Sequence, residues 1–177
     1  MSIENSNPQN THNSALIAAA QNDDWAAAKR AIENGADVFF QDENGDSASI
    51  IFACKGNCRA VIGLAKINKG TLELADNGGS TPGICFALHN HADAAVRVAQ
   101  EYPHILRQEN KRGNTMVIWF AQYQNVQAVY ALARINGGIF AQEDKDGPIT
   151  WTRFKNHADV EAVRALQDLE RRRRSNW

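Results

Sequence analysis

The sequence predicts an all-α fold, a repeat solenoid of stacked helix-turn-helix units. Asp42, Asp76, Asn110 and Asp144 stand 34 residues apart, and each is followed three residues later by a glycine, at Gly45, Gly79, Gly113 and Gly147. Two positions further on come Ser47, Thr81, Thr115 and Ile149, so the shared unit reads Asp/Asn-x-x-Gly-x-Ser/Thr. An internal period of this length points to a solenoid before any globular fold.

Each part of the unit has a local cause. Glycine in the turn allows a backbone angle closed to other residues. A Ser or Thr two positions later accepts a hydrogen bond from an orphan N–H at a helix start, worth about 1 kcal/mol. Apolar stretches with small residues follow the caps, as in Ala18-Ala19-Ala20, Phe52-Ala53, Phe86-Ala87 and Phe120-Ala121. Polar breaks come next, at Asn22-Asp23-Asp24, Lys55-Gly56-Asn57, His89-Asn90-His91 and Gln122-Tyr123-Gln124. Second apolar runs complete the units, over Ala26 to Ile32, Ala60 to Ala65, Ala94 to Ala99 and Ala128 to Ala133. Each unit is therefore two short antiparallel helices and a turn. A first unit starts near Asn10 with Ser14 in the cap place, 33 residues before Ser47. Leu64 to Gly70 and Leu132 to Gly138 echo each other two periods apart.

The segments Asp42 to Ala53, Asp76 to Ala87, Asn110 to Ala121 and Asp144 to Lys155 resemble the opening of an ankyrin repeat. Thr81-Pro82 keeps the family's Thr-Pro pair, and Gly35-Ala36-Asp37-Val38 resembles the family's Gly-Ala-Asp-Val ending. The resemblance covers roughly residues 10 to 170. Several positions depart from the pattern. Where ankyrin repeats carry a His three residues after the cap, this chain has Ile17, Ile50, Ile84, Ile118 and Thr152. Gly63 sits inside an outer helix, at a cost of about 1 kcal/mol relative to Ala, and Gln124 occupies a turn place better suited to Gly or Asn. Tetratricopeptide repeats share the 34-residue period but lack the recurrent Gly-x-Thr turn. HEAT-like units are longer.

The expected organisation is a loose N-terminal arm over 1–12, a repeat domain over 13–170 and a basic C-terminal tail over 171–177. Unit boundaries are expected near 13–41, 42–75, 76–109, 110–143 and 144–170. A chain of 177 residues with 44% hydrophobic content and net charge −1 accommodates five units, the end ones acting as caps. Met1 to His12 has no apolar stretch and cannot be a secretory signal. No run approaches the roughly 20 apolar residues that span a bilayer. The expectation is a cytoplasmic protein, a monomer, without membrane association.

Cys54, Cys58 and Cys85 make an odd count. Cys54 and Cys58 straddle a turn without the spacing of redox or zinc motifs. Cys85, His89 and His91 offer three ligands where structural zinc takes four, so a buried cysteine and structural histidines are the expectation and no metal is assigned. No nucleophile elbow, phosphate-binding loop or His-Glu-x-x-His pair occurs. No enzymatic role and no cofactor are expected.

Charge is unevenly placed: residues 1–150 carry 12 basic and 16 acidic side chains, and 151–177 carry 7 and 4. Arg171-Arg172-Arg173-Arg174 ends the last outer helix, where cations favour the backbone dipole. Such a run also fits a nuclear address, a handle for acidic partners or a nucleic-acid contact, although the near-zero net charge argues against nucleic acid.

The resemblance to ankyrins implies partner docking on turn tips and on the exposed ends of inner helices. Transferred position by position, it singles out Arg112, Tyr123 and Leu88, flanked by Lys55, His89 and Lys111; aromatic and Arg residues are enriched among interface hot spots. In the fifth unit it adds Lys145, Asp146, Asn156 and His157. The implied function is a non-catalytic protein-protein interaction module: a scaffold, adaptor or inhibitor whose partner the sequence does not name. A bacterial effector that binds a host protein is the resemblance's alternative, and a nucleic-acid-associated factor using the basic C-terminus is the third.

Overall fold

A computed structural model describes residues 8–144, 146–149 and 151–175. They form an all-α protein whose only strands are two residues long. The helices come in antiparallel pairs: α1 (Pro8–Gln21) with α2 (Trp25–Glu33), α3 (Ala48–Cys54) with α4 (Cys58–Ile67), α5 (Pro82–Leu88) with α6 (Ala92–Glu101), and α7 (Met116–Gln122) with α8 (Val126–Ile135). A last helix, α9 (Val160–Ser175), packs on α8. The inner helices α1, α3, α5 and α7 lie side by side, as do the outer helices α4, α6 and α8. No helix among the described residues is long and apolar enough to cross a membrane.

The recurrent turn forms as its residues dictate. Asp42 Oδ1 accepts from Asn44 N and Asp46 N, Asp76 Oδ1 from Gly78 N and Ser80 N, and Asn110 Oδ1 from Arg112 N and Asn114 N. Gly45, Gly79 and Gly113 take φ of 78°, 83° and 75°, the left-handed region that glycine enters without penalty. At Gly79 a side chain is also excluded by space, because a Cβ would lie 2.7 Å from Lys111 N. Ser47 and Thr115 then cap α3 and α7, accepting from Ile50 N and Ile118 N at 3.3 Å.

Thr81 holds the cap position of α5 but makes no cap bond. Its hydroxyl donates to Gln108 Oε1 at 2.7 Å, and Gln108 Nε2 donates back to Leu72 O at 2.9 Å. Thr115, Gln142 and Leu106 repeat the arrangement one unit later, at 2.7 Å for both bonds. Further ties join residues one period apart: Asn77 N to Asn44 O, Asn77 Nδ2 to Glu43 O, and Asn57 Nδ2 to Asp23 Oδ1. His91 Nε2 donates to Cys54 O at 3.0 Å.

Burial follows the same spacing. Phe52, Phe86, Phe120 and Phe154 are fully buried, as are Leu64, Val98, Leu132 and Leu166. The echo at Leu64 and Leu132 leads into matching 3-10 turns, in which Asn68 and Asn136 cap Gly70 N and Gly138 N at 2.9 Å.

Four expectations need correction. Helix α1 begins at Pro8, so residues 8–12 are not part of a loose arm; residues 1–7 lie outside the described residues. Gln9 Nε2 donates to Gly35 O, and Asn13 Oδ1 accepts from Asp37 N at 2.8 Å, which ties this early helix to the end of α2. Ser14 is consequently an exposed mid-helix residue rather than a cap. No helix starts at Ile149. A hairpin of Glu143–Asp144 and Gly147–Pro148 precedes it, and only a 3-10 turn, Trp151–Phe154, follows. Isoleucine offers no side-chain acceptor for a helix start, and Ile149 is used instead as a buried apolar residue. The basic run ends the last helix as expected, and the tail boundary at 171 therefore falls inside α9, which continues through Ser175. Arg174 bonds Glu170 Oε1 while its own side chain stays largely exposed, and the buried Glu170 also accepts from Trp151 N, so the run is joined to the residues before α9 through Glu170.

The two odd residues have separate explanations. Gly63 faces the Trp25 indole, and a Cβ there would lie 2.3 Å from Trp25 Cζ2. The ring packs edge-on against Phe52 at 6.0 Å, so the glycine is what admits it. Gln124 does adopt the left-handed conformation, φ 57°, in line with Asp23 at 55° and Asn90 at 56° in the equivalent turns.

Candidate protein-docking face

The C-terminal ends of the inner helices set Lys55, His89 and Tyr123 in one row, because each is the residue that closes its helix: Lys55 on α3, His89 on α5, Tyr123 on α7. All three are exposed. Leu88 lies one residue earlier on α5 and is half-buried. Sequence reasoning thus selects four residues that the fold brings to one edge.

Lys111 and Arg112 sit on the turn before α7, at the opposite end of a seven-residue helix. At about 1.5 Å per residue, about 10 Å of helix separates them from Tyr123. Lys111 is committed to its neighbour: its backbone N–H donates to Gly78 O and its ammonium to Asn77 O at 2.9 Å. Arg112 is exposed, and among the described residues its guanidinium has no partner. Of the fifth-unit positions, Asp146 and Asn156 are exposed, His157 Nδ1 accepts from Asp159 N, and Lys145 lies outside the described residues.

Trp119 was not among the expected contacts. It is half-buried on α7, one turn before Tyr123, and the two rings tilt against each other at 5.9 Å. The Trp119 indole N–H is buried and has no hydrogen-bond partner among the described residues. A Trp-x-x-x-Tyr spacing on a helix puts both rings on one face, a signal available in the sequence. His89 and His91 stack at 6.3 Å beside this pair's row, and His91 is fixed by its bond to the Cys54 carbonyl.

The face is polar at its turn tips. Burial raises the Asp46 carboxyl above its ordinary range, helped by the nearby charges of Asp42 and Asp76. Cys54 is held below the ordinary thiol range by a hydrogen bond from Cys85, against the opposing effect of its own burial. Cys85 is pushed far above that range, first by the same bond and then by burial. Among the described residues no group of His, Cys, Asp or Glu is placed to hold a metal ion; of the three residues weighed as ligands, Cys85 is buried and His91 bonds a backbone carbonyl.

Compared with known proteins, the chain matches no family model and no curated protein.

Proposed function

We propose that this chain is a non-catalytic protein-binding module, an ankyrin-like repeat solenoid that docks a partner protein on the inner-helix face. The solenoid reading is supported by turns, caps, buried phenylalanines and hydrogen bonds that recur at one 34-residue spacing along the stack. The functional reading rests on one observation: Tyr123 remains 48% exposed while its ring leans on Trp119, at the edge where Leu88 and His89 also emerge. A large rigid ring held in place yet open to solvent is what an interface anchor requires, since little conformational freedom is lost on binding. Polar side chains on either end of the inner helices serve the fold, as His91 and Lys111 do in holding backbone carbonyls of the neighbouring unit.

The test is comparative capture. The full chain, a variant carrying Arg112→Ala and Tyr123→Ala, and a chain ending at Glu170 are immobilised and exposed to the same lysate. The proposal expects a protein retained by the full chain and by the truncated form but lost from the double variant. Retention that follows the arginine run instead transfers the function to α9.

A further inference from the structure

Positions 31 residues apart fall on neighbouring units, one helical turn out of step. One period of 34 carries a residue to its equivalent on the next helix, and three residues back is close to one helical turn, on the same face. Gln122 and Arg153 have this separation and line one groove. Cys54 and Cys85 have it too, on α3 and α5, which pack directly against each other. Each thiol is the largest influence on the ionisation of the other, which sets the two sulfurs facing each other between the packed helices. Cys54 is partly open to solvent at the end of α3, whereas Cys85 is only 2% exposed. The third cysteine, Cys58, opens α4 across the turn from Cys54 and is also partly exposed.

The geometry points to an oxidation site: on exposure to hydrogen peroxide, Cys54 and Cys85 join in a disulfide that clasps the α3/α4 pair to the α5/α6 pair. This inference does not depend on what the docking face binds.

The two environments divide the roles. The nucleophile in thiol oxidation is the thiolate. Cys54 carries the more readily ionised sulfur and is the one an oxidant reaches. Its sulfur attacks one peroxide oxygen; the O–O bond breaks, the departing hydroxide takes up a proton as water, and Cys54 becomes a sulfenic acid. Neutral Cys54 no longer holds the Cys85 proton in place. The Cys85 sulfur then attacks the Cys54 sulfur, the S–O bond breaks, and the Cys85 proton leaves with the hydroxide as a second water. Two thiols have lost two electrons and one peroxide has gained them. Because Cys85 is buried beside its partner, the second step is faster than encounter with another molecule. The new bond closes a loop through α4, the 3-10 turn after it, the Asp76 turn and the start of α5, which restrains the unfolded chain and raises the unfolding temperature.

Fully reduced protein is treated with a slight excess of hydrogen peroxide, alkylated, digested without reduction and mapped by mass spectrometry. The expected product is a pair of peptides joined through Cys54 and Cys85, lighter by two hydrogens than the reduced pair. It accompanies a higher thermal midpoint, and dithiothreitol reverses both. The Cys58→Ala variant keeps the cross-link and the midpoint shift; Cys54→Ala, which alters only a partly exposed position, abolishes both. A Cys54–Cys58 bond, a disulfide between two chains, or oxidation of Cys54 to the sulfinic acid while Cys85 stays reduced overturns the assignment.

Discussion

Replacing Gln108 by alanine removes one side chain that serves three elements. Its Oε1 accepts from the Thr81 hydroxyl at 2.7 Å, while its Nε2 donates to Leu72 O at 2.9 Å and to Glu73 Oε2 at 2.8 Å. Thr81 is 6% exposed and Leu72 fully buried, so water does not readily replace the amide at either. A buried polar group left without its partner costs about 1–3 kcal/mol. The Glu73 contact is exposed and adds little. Two stranded groups, one of them a hydroxyl free to rotate, give an expected loss of about 2–4 kcal/mol. Urea denaturation followed by circular dichroism measures it, with exposed Gln100→Ala as the control expected within about 0.5 kcal/mol of wild type. A double-mutant cycle with Thr81→Ala isolates the shared bond and should return a coupling of about 1 kcal/mol. If Gln108→Ala behaves like the control, the ties between units contribute nothing and apolar packing alone joins them.

Three further outcomes follow from particular contacts. Gly63→Ala should lower stability by about 1–2 kcal/mol, because the overpacking against Trp25 outweighs the gain in helix propensity, and indole fluorescence should shift to the red. Asp46→Asn should raise the thermal midpoint at neutral pH. The folded state holds this carboxyl above its ordinary pKa, so its ionised form is penalised at neutral pH; the penalty, and the variant's advantage, should vanish in a pH series below the ordinary aspartate range. Arg174→Ala should cost about 1 kcal/mol, because Arg174, itself largely exposed, is the charged partner of a Glu170 that is only 3% exposed, whereas Arg171→Ala, whose partner Asp168 is exposed too, should cost less than about 0.5 kcal/mol in the same melts.

What the sequence reveals is what is local. The Thr115 cap needs only the helix that follows it, and the turn at Asp76 needs only four residues, so both were legible from spacing. Gln108 acts on Thr81, 27 residues earlier, and on Leu72 in the unit before; the single clue was its recurrence as Gln142. The cost of Gly63 was legible, but its cause was not, because Trp25 meets it only across two packed helices. Ser14 satisfied the cap pattern, yet the polar residues before it belong to helix α1, held by bonds from Gln9 and Asn13 to the far end of the first pair. On the candidate face, the row of Lys55, His89 and Tyr123 follows from period alone, whereas the packing of Trp119 beneath Tyr123 depends on which way each ring leans. The thiol contact of Cys54 with Cys85, rather than with nearby Cys58, is likewise set by the stacking of helices and not by distance along the chain.

The most direct test of the docking account is isothermal titration of the purified partner into three forms of the chain. The Arg112→Ala, Tyr123→Ala variant should bind more weakly by more than about 2 kcal/mol, because anchors of this kind concentrate interface energy, with its urea midpoint nearly unchanged. Removal of residues 171–177 should leave affinity within about 0.5 kcal/mol of wild type, after allowance for the stability lost with Arg174. Undiminished binding by the double variant, together with loss of binding on removal of the arginine run, contradicts the inner-helix face and makes the end of α9 the binding element.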